Sequence, residues 1–224
     1  MNKTIKYVVL FFVAGLVAVS CENPKPEKSI ENLKAAIEGE TKASIKYAEF
    51  SAKASEEGYS NIAKMFAAAA EAEKIHVVNH NNVLAKLGAE KYSPETGEKP
   101  EVDITGQNIQ TAIAGETYEF SVMYPGFIKE AEAEKCEDAI KTFKWAMEAE
   151  VTHSVLFQNV LDMLNLAISS ETAESSDEGV KESADAGVSS EWLVCPKCGN
   201  LFDTLEGVDK CGICELEPAS FKKF

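Results

Sequence analysis

Two short strings carry the first chemistry in this chain, Glu73-x-x-His76 and Glu150-x-x-His153. On a helix, a carboxylate and an imidazole three residues apart are neighbours on one face. Oxygen and nitrogen donors of that kind suit iron or manganese. The second chemistry is sulfur. Cys195-Pro-Lys-Cys198 and Cys211-Gly-Ile-Cys214 form two knuckles twelve residues apart, whose thiolates can close a tetrahedral metal site. Paired knuckles at this spacing suit a metal better than disulfides. Zinc there would make a structural ribbon, and iron a one-electron relay.

Four amphipathic helices have to position the acids. From Ser29, Ile30, Leu33, Ile37, Ser44 and Tyr47 follow the three-four spacing of a bundle seam, and Gly58 stops the run. Ser60 can cap a second helix carrying Ile62, Phe66, Ala69, Leu84 and Leu87, with Gly88 as its stop. Ala89 to Gly106 has no period and reads as a loop crossing the bundle. A third helix starts near Gln107, with Ile109, Ile113, Phe120, Met123 and Phe127 in phase, and Pro125 should kink or end it. A fourth runs from about Glu137 to Ile168.

The pairs repeat. Ala36-Ile-Glu-Gly-Glu-Thr41 returns as Ala112-Ile-Ala-Gly-Glu-Thr117 at an offset of 76. Glu71-Ala-Glu-Lys-Ile-His76 returns as Glu148-Ala-Glu-Val-Thr-His153, and Lys64 and Phe66 return as Lys141 and Phe143, at an offset of 77. A duplicated helical hairpin implies a pseudo-two-fold bundle. The gaps in the four apolar seams are then filled by Glu40, by Glu73 and His76, by Glu116, and by Glu150. An unpaired buried carboxylate costs several kcal/mol, and four around one axis repel. No lysine lies on the seams, so metal ions are the remaining neutraliser, and the ligand set is that of a di-iron or di-manganese bundle. His80, one turn beyond His76, is read as a core residue or as one that supports a ligand, rather than as a ligand itself. Glu119, one turn past Glu116, has Ala43 as its counterpart and can reach the same centre. Cys136, between helices, reads as an inert or mildly reactive thiol.

The rest of the chain supplies context. Its 22 basic residues are all lysine against 37 acids, a net charge of −15, which disfavours nucleic acid as a partner. Residues 1–20 have the positive start, apolar stretch and small-residue end of a signal peptide. Cys21 behind them resembles the lipobox of bacterial lipoproteins, which implies a lipid anchor at Cys21 in the cell envelope, on the periplasmic or surface side. Residues 21–28 then form a tether. Residues 169–190, with seven serines and six acids, read as a flexible acidic linker, and 191–224 as a second module.

The doubled motif followed by the knuckles resembles rubrerythrin. The likeness is carried by Gly39-Glu40, Glu73-x-x-His76, Gly115-Glu116-Thr-Tyr-Glu119, Met123-Tyr124-Pro125, Glu150-x-x-His153 and the four cysteines. The resemblance implies an all-α, four-helix ferritin-like bundle over residues 29–168 plus a small C-terminal rubredoxin-like module. It implies two irons bridged by Glu73 and Glu150, with Glu40, Glu116 and His153 as further ligands. One iron would move between His76 and Glu119. Tyr47 and Tyr124 would hydrogen-bond the ligands, and a third iron would sit on Cys195, Cys198, Cys211 and Cys214. The implied reaction is reduction of hydrogen peroxide to water, with an external electron donor (a rubredoxin or a reductase). A homodimer, often head to tail, would bring the two centres together. The alternative from the residues themselves is an iron-binding or ferroxidase bundle with a structural zinc ribbon.

Overall fold

The computed structural model describes residues 25–97, 99–169 and 185–224. The signal segment, Cys21 and most of the acidic linker fall outside the described residues. Helix α1 spans Glu27–Glu56 and α2 spans Ser60–Lys86. The third bundle helix is composite: α3, Thr105–Tyr118, then a π-helical turn, Glu119–Met123, then α4, Tyr124–Glu134. Helix α5 is Glu137–Ser169. Three two-residue strands close the tail module: β1 (Leu193–Val194), β2 (Leu201–Phe202) and β3 (Lys222–Lys223), antiparallel in the order β2-β1-β3. Among the described residues, no helix is long and apolar enough to cross a membrane.

Alanine-rich faces bring α1 and α2 close. Ala68, Ala69, Ala70 and Ala72 are buried on α2, as are Ala36, Ala43 and Ala54 on α1. Ser44 Oγ donates to the Ala70 carbonyl at 2.8 Å and Ser51 Oγ to the Ala63 carbonyl at 2.7 Å, so the seam is also stitched by hydroxyls. Two apolar clusters occupy the bundle. One holds Tyr47, Phe50, Phe66 and Phe157; the other holds Leu33, Ile37, Leu84, Tyr124 and Phe143. Each fully buried aromatic or leucine contributes about 1.5–3 kcal/mol. Cys136 is buried in the second cluster.

The π turn explains an irregularity of the repeat. Up to Thr117 the offset is 76; from Tyr124, the counterpart of Tyr47, it is 77. One residue has been inserted within a single turn, and the helix absorbs it as π geometry instead of breaking. Pro125, expected to kink or end the helix, instead sits in the first turn of α4, directly behind the π turn, where its missing N–H is tolerated.

Acids from distant parts of the chain cap the helices. The N-terminal residues of α1, α2 and α3 make no side-chain cap of their own. Glu134 accepts from Lys28 N–H (2.9 Å) and Ser29 N–H (2.7 Å) at the start of α1. Glu57 accepts from Thr105 N–H (2.8 Å) at the start of α3. Asp185 accepts from Asn61 N–H (3.0 Å), Ile62 N–H (3.2 Å) and Ser60 Oγ (3.0 Å) at the start of α2. Ser60, expected to be the cap, is thus the first helical residue and a donor to the cap. The last residues of the stretch expected to be linker, from Asp185, are ordered against α2, and Lys64 Nζ also binds the Ser190 carbonyl at 2.8 Å.

Asp185→Ala should therefore cost about 1 kcal/mol, the usual worth of a helix cap. Thermal denaturation should show a loss of a few degrees, and limited proteolysis should find new cleavage just ahead of Trp192. An unchanged melting curve together with unchanged proteolysis counts against the latch.

Candidate metal centre

The four seams deliver their polar residues to the waist between the two apolar clusters. Glu40, Glu73, His76, Glu116, Glu150 and His153 are all buried. Their donor atoms converge in two groups, Glu40–Glu73–His76–Glu150 and Glu73–Glu116–Glu150–His153, each with all donors within 4.8 Å of one another. Glu73 and Glu150 belong to both groups. Glu119, on the π turn, stands just outside them with its Oε2 buried and without a hydrogen-bond partner. Buried oxygens without a hydrogen bond also occur on Glu40, Glu73 and Glu116, and Glu150 meets the two imidazoles only as close ion-pair contacts.

The imidazoles are oriented by their other nitrogen. His76 Nδ1 lies 2.9 Å from Glu150 and 3.1 Å from Glu73, while His153 Nδ1 lies 2.7 Å from Glu150. On the far side, His76 Nε2 is 3.0 Å from the Cys198 carbonyl and His153 Nε2 is 3.0 Å from the Gly199 carbonyl. Carbonyls only accept, so each Nε2 carries a hydrogen and each Nδ1 faces the acids, where it can ligate a metal once it gives up any proton it holds. That is the arrangement of a metal-ligating histidine with its second nitrogen tied down. Gly199 is required there. At φ +83°, a Cβ would stand 2.3 Å from His76 Nε2.

Tyr47 donates to Glu116 at 2.5 Å and Tyr124 donates to Glu40. Burial and the neighbouring glutamates push both phenols well above their usual range, so both stay protonated. Glu73, Glu116 and Glu119 are raised well above the ordinary carboxylate range, first by burial and then by the charge of neighbouring glutamates, Glu150 foremost for Glu73 and Glu116 and Glu40 for Glu119. Burial alone would lower His76, but Glu150 outweighs it and holds the imidazole up at about 9. Glu150 is driven low, since the two histidines overcome its burial. Lysine was excluded from the seams by sequence. Lys46 does draw Glu119 down from the side, but that single charge cannot offset five carboxylates. Lys46, Gly39, Ala43 and Glu119 wall a cavity of about 610 Å³ that leads in from the surface.

The second group is Cys195, Cys198, Cys211 and Cys214, all buried with converging sulfurs. Cys195 and Cys214 sulfurs are 3.4 Å apart, and those of Cys198 and Cys211 3.5 Å. The donor set and these spacings fit one tetrahedral ion. The module rests on its own bundle, with Trp192 buried in the first apolar cluster. Within one chain the module already sets Cys198 against His76. Sequence reading missed this seating, since neither carbonyl advertises itself in the residue types. The glycine after the knuckle was the available signal.

The family model described as Rubrerythrin matches residues 31–161. Rubrerythrin-2 of Clostridium acetobutylicum is 32% identical over 195 residues, 86% of this chain and 94% of that protein. Nigerythrin of Nitratidesulfovibrio vulgaris is 34% identical over 186 residues, 83% of this chain and 81% of that protein. The solved structure of nigerythrin in its fully reduced, all-ferrous state superposes with a TM-score of 0.71 at 32% identity, covering 88% of this chain and 86% of that one.

Protons and cations compete for the buried acids. In the metal-free protein His76, at about 9, holds a proton at pH 7 and burial shifts the glutamates towards their protonated forms, so a bound cation competes with protons. Manganous ion, which prefers oxygen donors to thiolates, should bind the metal-free protein more tightly as pH rises from 6 towards 9. Calorimetric titration at three pH values measures this, and a flat profile counts against the protonated cluster.

Proposed function

The chain belongs to the rubrerythrin family, and on that footing we propose that it is a non-haem di-iron peroxidase. It reduces hydrogen peroxide to water with electrons that enter through an iron on the four cysteines. The observation that carries this reading is the seating of one cluster on the other: Cys198 and Gly199 accept hydrogen bonds from the two histidines that face the buried acids. A storage bundle with an independent ribbon has no use for that contact.

Glu73 and Glu150, common to both groups, would bridge two irons. Glu40 and His76 would complete one position, and Glu116 and His153 the other. Glu119 would serve as the exchangeable carboxylate on the cavity side. When bound, two ferrous ions supply both electrons of the reduction together, and hard oxygen ligands favour the ferric product. The balance is H2O2 + 2 H⁺ + 2 e⁻ → 2 H2O.

The residues do the remaining work. Tyr47 and Tyr124 hold Glu116 and Glu40 in place as neutral donors. The cavity walled by Gly39, Ala43 and Lys46 admits a small oxidant to Glu119. The aromatic layers above and below keep bulk water out, which strengthens every charge interaction inside. The four thiolates of the tail would hold an iron that exchanges one electron at a time. From Cys198 Sγ the path to His76 runs through the cysteine's own bonds and one hydrogen bond. An outside donor of rubredoxin or reductase type must reload the cluster. The reading includes an envelope location through a lipid anchor at Cys21, supported by the residue order of 1–21.

Native protein should contain three irons, absorb in the visible when oxidised, bleach on reduction and recover its colour with peroxide. Zinc alone at the cysteines would falsify the internally wired peroxidase and favour the ferroxidase with a structural ribbon. Glu150→Ala should lower peroxide turnover by more than about 10²-fold, exceeding the loss from an outer partner of a ligand. Normal turnover in that variant refutes the site.

A further inference from the structure

Duplication gives the bundle an internal control. The offset of 77 that maps Tyr47 on Tyr124 and Phe66 on Phe143 also maps Met65 on Thr142 and His80 on Phe157. The surroundings of the two tyrosines therefore differ at two equivalent positions. Tyr47 is backed by hydrocarbon: its ring centroid lies 6.1 Å from Phe66 and 5.6 Å from Phe157, and Met65 is buried in the same cluster. Tyr124 is backed by a histidine and a threonine.

Those two are hydrogen-bonded in series. His80, buried, places Nε2 3.1 Å from Tyr124 Oη and Nδ1 3.0 Å from Thr142 Oγ1. Tyr124 uses its hydrogen on Glu40, so its oxygen must accept from His80. Nε2 then carries the imidazole hydrogen, and Nδ1 accepts the Thr142 hydroxyl. Burial pushes His80 down to about 3, with charge on His76 adding to this, so the ring is neutral at pH 7. Thr142 in turn lines a groove of about 260 Å³ with Asn79, Asn82, Lys86 and Asp138. Each buried polar group introduced in place of an apolar one costs free energy unless fully partnered. The same fold packs Phe and Met at these positions, so the polar pair is not needed to fill space.

We propose that Thr142, His80 and Tyr124 form a proton relay from this groove to Glu40. The inference rests on the peroxidase reading, whose reaction consumes two protons for each peroxide. For each proton, Tyr124 O–H passes its hydrogen to the Glu40 carboxylate and takes the Nε2 hydrogen of His80. His80 Nδ1 takes the hydrogen of Thr142, and Thr142 takes one from water in the groove. Every O–H or N–H bond broken is replaced, and one proton has moved from solvent to the acid cluster. No intermediate member has to hold a charge. Rotation of the hydroxyls and return of the imidazole hydrogen from Nδ1 to Nε2 by tautomeric exchange restore the starting pattern before the next proton.

The test is stopped-flow oxidation of the fully reduced, iron-loaded full chain by hydrogen peroxide in H2O and D2O. Thr142→Ser keeps the hydroxyl and should react like the wild type. Thr142→Val should slow the reaction by roughly 10²-fold, the low end of what a positioned proton donor contributes. His80→Gln can still donate to Tyr124 but cannot hand on its proton, so it should slow equally, whereas a purely positioning role predicts wild-type behaviour. The double variant His80→Phe, Thr142→Met copies the first half, so it has a packing precedent, and it should slow in the same way. The wild type alone, with Thr142→Ser, should keep the larger rate and its solvent isotope effect. Independently of iron, ¹⁵N spectra of the metal-free protein should show His80 protonated at Nε2 only. Equal rates in all variants, or His80 protonated at Nδ1, overturn the relay while leaving the peroxidase standing. A wild type inert to peroxide overturns the peroxidase reading and the relay with it.

Discussion

Five carboxylates meet in the apolar waist of this bundle, and no set of side chains around them neutralises that charge. Two histidines face the acids and one lysine approaches Glu119 from the side. The remaining oxygens have no partner among the described residues. In a low-dielectric interior such a cluster is held either by protons or by cations. The rest of the fold makes that condition stricter. Aromatic layers on either side exclude water, and alanine faces close α1 on α2. Tyr47 and Tyr124 each satisfy only one oxygen of a terminal carboxylate, leaving the other directed inward. The structure is organised to keep these acids together rather than to relieve them, an arrangement that suits a resident cation.

Two-fold repetition explains the symmetric part of the site, and the departures from it explain the rest. Paired hairpins yield paired Glu/Glu-x-x-His sets, with Glu73 and Glu150 facing across the axis. One inserted residue in the second half turns part of a helix into a π turn and carries Glu119 towards the centre, where the first half has Ala43. A second departure lies behind the tyrosines, where a histidine–threonine pair replaces hydrocarbon. Both departures lie in or against the second hairpin's tyrosine, so the two faces of a nearly symmetric centre differ in what reaches them.

Much of this was legible from residue types and periods. The helices announced themselves by their seams, and the clustered acids and histidines stood out as the polar residues that interrupt those seams in duplicate. The cysteines were legible by spacing alone. Other features depend on contacts between residues far apart in sequence, which no local pattern encodes. Asp185 reads as one more acid in a serine-rich stretch until α2 presents its N–H groups to it. Glu57 and Glu134 likewise read as solvent-facing helix ends, yet they cap α3 and α1. The π turn was written in the shift of the repeat offset from 76 to 77, a signal that becomes interpretable only once the extra residue is seen to stay helical. His80 was legible as buried, but its partners Tyr124 and Thr142 come from two other helices.

The seating of the tail has a further physical logic. His76 and His153 need an acceptor behind Nε2 so that Nδ1 is free for a metal, and the choice of acceptor matters. A carboxylate would raise imidazole basicity more, but it would add a negative charge beside five others and deepen the repulsion the site already carries. Backbone carbonyls orient the rings without charge. Drawing both from consecutive residues of the tail, one of them a glycine that lets the chain approach Ala72 and His76 closely, makes the orientation of the di-metal ligands depend on the fold of the cysteine module. Anything that unfolds the knuckles, including loss of their metal, withdraws the acceptors from both histidines at once. The soft and the hard metal sites are therefore coupled through two neutral hydrogen bonds, and the integrity of one is a condition for the geometry of the other.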